Sequence, residues 1–207
     1  MATFITHHSC QIPTSVLYPL LPEMGTFVEV GAFDGMTYGC TWGLACAGWR
    51  GVYVEAHPDF ALQCIENHKA HPKIDTVACA CGPYGGFTQL TVYGECSTTV
   101  LDKWNREWGM DETTPKITVP VRTLDSILID AKITEIDLLV VDVEGAEIGV
   151  LQSLRLFRPK VAVIELHEGL GTRIDQKGWQ TPEVDKYFSG YTKVHADNIN
   201  TIYVQSK

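Results

Sequence analysis

Five short apolar runs, separated by segments long enough for helices, are the feature that most restricts the fold of this chain. The runs are TFVEV, GVYVEA, KIDTVACA, IDLLVVDV and KVAVIEL. Strands that read as near-continuous apolar runs are typical of parallel sheets covered by helices on both faces, and their crossovers are right-handed by default. The pattern therefore predicts an α/β fold with a doubly wound, mostly parallel sheet.

Further segments extend this alternation. YTKVHAD and NTIYVQS, separated by Asn198-Ile199, predict two antiparallel strands at the end of the sheet. Residues 85–93 alternate with period two and predict an added strand, with which residues 116–121 would pair. We therefore expect one domain over residues 1–207, with an N-terminal segment at 1–25 and an inserted cap at 85–121. A glycine-containing stretch at 168–182 follows a strand end and is a candidate lid.

Composition limits the compartment and the partners. A chain of 207 residues that is 45% hydrophobic and 20% charged suits one compact domain. Its net charge of -9 disfavours nucleic acid as a partner, because phosphate backbones are bound by clustered Lys and Arg. Seven cysteines form an odd set, without a secretory segment or a long apolar span. We expect a reduced, cytoplasmic protein that does not associate with membranes.

A glycine turn follows the first apolar run, and an acid ends the second. Gly31 and Gly35 would let the backbone approach a ligand closely, while Glu55 could accept hydrogen bonds from both hydroxyls of a ribose. Asp34 inside the turn suits a cationic or hydroxyl-bearing ligand better than a pyrophosphate, which favours S-adenosylmethionine as the cofactor. A nicotinamide-dinucleotide-dependent oxidoreductase would share the turn and the acid, but the chain lacks the GxGxxG pattern.

Carboxylates accumulate where further strands end. In a doubly wound sheet ligands bind at the carboxyl ends of the strands, which would place Asp142, Glu144, Glu165 and His167 in the same crevice as the glycine turn. Asp142 and Glu144 could instead cap the following helix, and His167 could be a surface or packing residue. These side chains could also bind a divalent cation, but their spacing matches no dedicated motif, so we expect no metal.

The sequence also resembles a known family. The segments GAFDG, VYVEAHP, VPVRTLDSIL, IDLLVVDVEGAE and AVIELHE, from about Thr26 to about Glu168, resemble the FkbM family of S-adenosylmethionine-dependent methyltransferases. The resemblance implies a class I, Rossmann-like fold with a seven-stranded sheet and a reversed last strand. It also implies O-methylation of a sugar or of a natural-product hydroxyl, so that the partner is a small-molecule or glycan acceptor.

The resemblance also assigns residues by position. It places Gly31 under the methionine part of the donor and Glu55 at the ribose, with Asp34 and Gly35 extending the turn. Glu29 would help to orient the donor's amino group. The residues that it places on the adenine side are Ala56, His57, Ala80 and Cys81.

Two positions depart from the family pattern. Glu29 replaces a frequent Asp, which conserves the charge. Val140 replaces a usual Lys, so a catalytically silent relative is an open alternative. For an active enzyme, we expect Asp142 or His167 to be the catalytic base that removes the proton of the acceptor hydroxyl, and Asp142 also to contact the donor. Trp104 and Trp108 lie four residues apart and are expected to pack on the domain rather than to line a substrate pocket.

Overall fold

The computed structural model describes residues 14–101, 103–166, 181–197 and 199–206, without the side chains of residues 103 and 104. Within these residues the chain forms ten strands: β1 (Thr26–Val30), β2 (Arg50–Glu55), β3 (Ile74–Ala78), β4 (Ala80–Cys81), β5 (Gly86–Thr91), β6 (Lys116–Arg122), β7 (Leu138–Val141), β8 (Val161–Glu165), β9 (Tyr191–Ala196) and β10 (Asn200–Gln205). Its helices are α1 (Thr14–Leu17), a 3₁₀ turn (Tyr18–Leu20), α2 (Trp42–Cys46), α3 (Pro58–His68), α4 (Lys103–Glu107), α5 (Leu124–Asp130), α6 (Glu147–Gln152) and α7 (Thr181–Tyr187).

Seven strands form the main sheet, in the order β3-β2-β1-β7-β8-β10-β9. The strands from β3 to β8 in this order are parallel, and β10 runs antiparallel to both β8 and β9. This confirms the predicted α/β fold with a doubly wound, seven-stranded sheet and a reversed last strand. The strand order reverses between β1 and β7, and the crevice at such a point is the usual ligand site of an open α/β sheet.

Alternate side chains of the central strands build a hydrophobic core on each face of the sheet. One core contains Val28, Val54 and Leu139 from the strands, together with Leu128 of α5 and Leu151 of α6. Each of these residues is at most 2% exposed. The core on the opposite face includes Leu17, Phe27, Leu44, Trp49, Tyr53 and Val140. Burial on both faces explains why these strands read as continuous apolar runs.

A second, three-stranded sheet carries the cap (residues 85–121). Its order is β4-β6-β5, and β5 pairs antiparallel with β6 from Gly86↔Val121 to Thr91↔Lys116. The two strands expected in residues 85–93 and 116–121 are therefore present and paired. The chain between them, which includes α4, returns to the carboxyl ends of the main strands.

One predicted strand divides between the two sheets, and one helix ends before its segment does. The run KIDTVACA divides at Cys79, so that β3 stays in the main sheet and β4 pairs with β6 of the cap. Helix α6, in the segment AEIGVLQSLRLF, ends at Gln152. Ser153 explains this end, because its hydroxyl donates to the Val150 carbonyl at 2.6 Å and accepts from the Leu124 N–H at 3.0 Å.

The start of α5 allows a test of local stability. Thr123 is its N-cap, and its side-chain oxygen accepts from the Ser126 N–H at 3.2 Å. We expect Thr123→Ala to lower the free energy of unfolding by about 0.5–2 kcal/mol, because the N–H loses its partner. Thr123→Ser keeps the hydroxyl and should lose less, as measured by urea unfolding. Equal losses in both variants would contradict the capping role.

The helices in the part of the chain that the structure describes are too short, or too polar, for any of them to cross a membrane.

Candidate active site

The glycine turn lies against the end of β7. The Gly31 N–H donates to the Val54 carbonyl at 2.9 Å, and the Asp142 N–H donates to the Val30 carbonyl at 3.0 Å. Gly31 has φ 85°, and a Cβ atom at this position would lie 1.6 Å from the Asp142 carbonyl oxygen. The backbones of the β1 and β7 ends therefore meet where a side chain has no space, and only glycine fits.

Glu55 ends β2 and is fixed by the same turn. Its Oε2 accepts from the Phe33 N–H at 2.8 Å and its Oε1 from the His57 N–H at 2.7 Å. Burial raises the pKa of this carboxyl, and the backbone N–H groups oppose that shift. A carboxylate has about four acceptor positions, and the Phe33 and His57 N–H groups occupy one on each oxygen. Glu55 also lines a cavity at this edge of the sheet.

Two other residues of the turn shape it from outside the cavity. The Asp34 carboxylate accepts from the N–H groups of Met36 at 2.9 Å and Thr37 at 2.6 Å, and from the Thr37 hydroxyl at 2.7 Å. Gly35 has φ 71° and would place a Cβ atom 2.6 Å from the Cys64 sulfur. Neither residue lines the cavity. The structure thus gives Asp34 and Gly35 a role in forming the turn, where the sequence predicted contact with the donor.

Glu29 is similarly turned away from the cavity. It is 4% exposed, and its carboxylate accepts from the Thr41 hydroxyl and, at 3.4 Å, from the Cys40 N–H. The Thr41 oxygen also lies 2.8 Å from the Tyr53 hydroxyl, whose pKa is raised by burial and then by the charge of Glu29. Glu29 is paired in register with Val140, the position where the FkbM resemblance implies Lys. In this chain the Thr41 hydroxyl and the Cys40 N–H donate to Glu29. Its carboxylate therefore fixes the position of residues 40 and 41, which follow the turn.

The predicted adenine side has an apolar wall. Ala56, Ala80 and Cys81 line the cavity beside Phe60, and the Phe33 and Phe60 rings lie 4.4 Å apart between centroids. Burial raises the pKa of the Cys81 thiol well above its ordinary value, so this cysteine is an apolar wall residue rather than a nucleophile. His57 packs its ring 4.4 Å from Phe60, but does not itself line the cavity.

The cavity has a volume of about 480 Å³ and lies between the carboxyl ends of the central strands and the cap. Trp108 lines it and remains 47% exposed, so the expectation that this residue packs on the domain is wrong. The side chain of Trp104 lies outside the described residues. The residues that the cap contributes to the wall are Gly94, Glu95, Cys96, Ser97, Thr99 and Trp108.

Three carboxyl groups meet at the floor of this cavity. One oxygen from each of Asp142, Glu144 and Glu165 lies within 4.8 Å of the other two. Two charges at this distance repel by about 3–4 kcal/mol at an effective dielectric constant of about 20. Burial, and then the neighbouring Asp142, raises the pKa of Glu144 to about 8 and that of Glu165 well above its ordinary value. The cluster therefore retains protons at neutral pH.

The spacing of these oxygens would also admit a hard divalent cation. Acidic groups alone do not establish such a site, and the absence of a metal stays a prediction. His167, the fourth ligand considered and the second candidate base, lies outside the described residues, as does most of the candidate lid.

Glu147 has a role that the sequence pattern did not indicate. Its Oε1 accepts from the N–H groups of Val143 at 3.3 Å and Gly145 at 3.0 Å, and the side chain is 2% exposed. The N-cap of α6 is Ala146, without a side-chain hydrogen bond. The acid within the helix thus fixes the loop before it, and capping by Asp142 or Glu144 is not what the structure shows.

Strained backbone is concentrated around the cavity. Phe33, Tyr38 and Glu144 have φ values of 50°, 59° and 55°, in the left-handed region that favours glycine, and all three line the cavity. Non-glycine residues in this region persist only where the surroundings hold them, and they are common at functional sites. No sequence pattern indicates these conformations.

The sheet order, the single reversed strand and the cavity at the carboxyl edge define a class I, Rossmann-like methyltransferase. The family model of the methyltransferase FkbM domain matches residues 29–194. The chain therefore belongs to the FkbM methyltransferase family, as its motifs predicted.

Solved structures have the same fold at low sequence identity. An O-methyltransferase from Bacillus cereus in complex with SAH has a TM-score of 0.51 and 16% identity, and the match covers 96% of this chain and 84% of that one. A putative caffeoyl-CoA O-methyltransferase from Staphylococcus aureus has a TM-score of 0.51, 8% identity, and coverage of 99% and 86%. The Methanococcus jannaschii fibrillarin pre-rRNA processing protein has a TM-score of 0.52, 10% identity, and coverage of 90% and 68%. No curated protein matches the sequence.

Proposed function

We propose that the protein transfers a methyl group from S-adenosylmethionine to a hydroxyl oxygen of a sugar or natural-product-like small molecule. The observation that carries the proposal is the Glu55 carboxylate, which two backbone N–H groups hold at the cavity wall beside the Gly31 turn. Two acceptor oxygens in a fixed orientation suit the two hydroxyls of a ribose.

With the ribose at Glu55, the positions of the other parts of the donor follow. The backbone at Gly31 would lie under the methionine part, and the apolar wall of Ala56, Phe60 and Ala80 would enclose the adenine. The sulfonium would then point towards the carboxyl groups of Asp142 and Glu144, which stabilise a positive charge. The donor supplies the methyl group, and the protein aligns it with the acceptor and excludes water.

A neutral hydroxyl is the acceptor that best suits the carboxyl cluster. A carboxylate substrate would bring a further negative charge beside Asp142, Glu144 and Glu165, which repel it. A hydroxyl is a weak nucleophile, and a positioned base contributes about 100-fold to 10,000-fold to its reaction. The same acids can accept its proton. Trp108 and Tyr38, each 47% exposed at the cavity wall, offer the acceptor aromatic surfaces.

A binding experiment tests the donor assignment. S-adenosylhomocysteine at 100 times its dissociation constant should stabilise the protein by about 2.7 kcal/mol, or roughly 5–10 °C in Tm for a chain of this size. NADH at the same concentration should not shift the Tm, because the turn lacks the dinucleotide pattern. A shift with NADH alone would establish the oxidoreductase alternative, and a shift with neither would remove the donor site.

A labelling experiment tests the acceptor class. The protein is incubated with methyl-labelled S-adenosylmethionine and with a panel of methyl glycosides and hydroxylated small molecules, and the product mass is measured. We expect label on an oxygen of a neutral hydroxyl compound. Label on a carboxylate would contradict the acceptor class. Binding of S-adenosylhomocysteine without transfer to any compound, including a small-molecule extract of the source cell, would support the silent-relative alternative.

The compartment and remaining partners stay predictions. The six cysteines that the structure describes are all free thiols, in agreement with a reduced environment. Cytoplasmic location, and the absence of nucleic-acid and membrane partners, are inferred from charge and composition alone.

A further inference from the structure

We propose that the carboxylate of Glu144, rather than that of Asp142, takes the proton of the acceptor hydroxyl, and that Thr98 and Asn105 of the cap are its positioning residues. This inference rests on the proposed O-methylation. It assigns the base and links it to the cap that lies over the acceptor side of the cavity.

The first observation is the backbone of Glu144. Its φ of 55° is one that a non-glycine residue rarely adopts, and Gly145 follows with φ 107°. The side chain lines the cavity. Had the loop needed only a left-handed turn, glycine would serve better at both positions. A glutamate held in this conformation places a carboxyl group where the regular end of β7 would not.

The second observation is how the cap holds that conformation. The Glu144 carbonyl accepts from the Thr98 hydroxyl at 2.9 Å and from the Asn105 side-chain amide at 3.2 Å. Both donors are 1% exposed. They come from two parts of the cap and meet on one carbonyl, so they connect the position of the cap to the direction of the Glu144 side chain.

The third observation concerns the hydrogen bonds of the neighbouring acids. Asp142 and Glu165 share a hydrogen bond, and Glu147 accepts from the two N–H groups of the loop before α6. Glu144 instead has a hydrogen bond with the Cys96 thiol at the cavity wall. Its carboxyl group thus borders the space between the cap and the donor side, where an acceptor would enter.

The charged surroundings make Glu144 a base that the donor activates. Among the described residues, the groups that act on it are carboxyl and thiol groups: Glu95 and Cys96 in the cap, Asp142 directly after β7, Glu147 on α6 and Glu165 on β8. Burial and these neighbours raise its pKa to about 8. The sulfonium of S-adenosylmethionine is positive, and a positive charge nearby lowers that pKa. S-adenosylhomocysteine lacks this charge, so Glu144 should lose its proton with the donor bound and regain it with the product.

The transfer step balances as follows. Glu144 takes the hydroxyl proton while an oxygen lone pair forms the new bond to the methyl carbon. The bond from that carbon to sulfur breaks, and its electron pair stays on sulfur, which gives neutral S-adenosylhomocysteine. The ether product leaves, and the proton on Glu144 passes to solvent.

The kinetic test uses the hydroxyl compound that the wild-type protein methylates in the panel described above. We expect Glu144→Gln to lower the single-turnover rate by about 100-fold to 10,000-fold, with S-adenosylhomocysteine affinity unchanged within about threefold. Asp142→Asn should lose clearly less. The exposed helix residue change Glu66→Gln is the control and should keep the wild-type rate. A Glu144→Gln rate near that of wild type, or a larger loss in Asp142→Asn, would overturn the assignment.

The pH dependence has a defined direction. A base with a raised pKa gains its active, ionised form as the pH rises, so the wild-type rate should increase with pH. The rate should become constant above a pH of about 8. The more the bound donor lowers the pKa of Glu144, the lower this pH should be. The rate of Glu144→Gln should not rise with pH in this range. If it does rise, the pH dependence belongs to another group. A wild-type rate that EDTA abolishes and Mg²⁺ restores would make Glu144 a metal ligand and would also overturn the proposal.

A calorimetric test needs no acceptor, and so separates this inference from the acceptor proposal. Binding of S-adenosylmethionine and S-adenosylhomocysteine is measured at pH 8 in buffers of low and high ionisation enthalpy. Burial raises the pKa of Glu144 to about 8, so its carboxyl group is still partly protonated at this pH. We expect proton release with S-adenosylmethionine, little release with S-adenosylhomocysteine, and no difference between them in Glu144→Gln. Equal release by both ligands in the wild type would overturn the base, whether or not an acceptor has been found.

The test of the cap residues has to distinguish a positioning role from a general loss of structure. Thr98→Val removes the hydroxyl that donates to Glu144 and should lower kcat by at least tenfold with donor affinity and KM unchanged. Thr98→Ser should restore the rate. Loss of donor affinity in parallel with kcat, or failure of Thr98→Ser to restore it, would show that Thr98 is only structural.

Discussion

Replacing Gly31 with alanine is expected to unfold the protein or to reduce its free energy of unfolding by more than about 4 kcal/mol. The added Cβ atom would lie 1.6 Å from the Asp142 carbonyl oxygen and 2.7 Å from its carbon. These are backbone atoms of the adjoining strand, so they cannot rotate away. Separating the strand ends would strain the 3.0 Å hydrogen bond from the Asp142 N–H to the Val30 carbonyl.

Gly48 is a matched control for this substitution. Its φ of 87° is close to the 85° of Gly31, yet a Cβ atom there would meet only the flexible end of Met24, at 3.9 Å. Gly48→Ala should therefore lose only the cost of a left-handed conformation, about 1–2 kcal/mol. Urea unfolding followed by circular dichroism compares the two variants. Equal losses would show that the contact between the turn and β7 is not needed.

The fold was predictable because it follows from hydrophobic pattern. Strands buried on both faces leave continuous apolar runs, and helix-length separations between them restrict the sheet to parallel crossovers. The division of KIDTVACA at Cys79 was not predictable, since the run contains no Gly or Pro and only the partner strand β6 distinguishes its two parts. Such partner choice is a tertiary effect that a local pattern does not contain.

The candidate site was predictable where backbone geometry requires a particular residue. Gly31 and Glu55 lie at the cavity because a close backbone contact and the end of a strand fix their positions. Asp34 could not be assigned in this way, since an acid in a turn can bind a ligand or the turn's own N–H groups, and here it does the second. The left-handed backbone of Glu144 depends on hydrogen bonds from Thr98 and Asn105, which are distant in sequence.

Glu55→Ala should abolish tight binding of the donor. The substitution removes the two acceptor oxygens proposed for the ribose, and hydrogen bonds to a charged group contribute about 1.5–3 kcal/mol each. Loss of both corresponds to an affinity at least about 100-fold lower. The N–H groups of Phe33 and His57 also lose their acceptor, so the turn and the start of α3 should become less stable in the same variant.

Two comparisons separate lost contacts with the donor from a disturbed turn. Glu66→Ala removes an exposed carboxylate from the same helix that follows β2 and should bind S-adenosylhomocysteine like wild type. Glu55→Gln keeps the size of the side chain but faces one of the two N–H groups with a second donor, so its affinity should lie between wild type and Glu55→Ala. Isothermal titration with S-adenosylhomocysteine on variants that urea unfolding shows to be folded gives the affinities. Tight binding by a folded Glu55→Ala protein would overturn the ribose assignment, and with it the orientation that points the sulfonium towards Glu144.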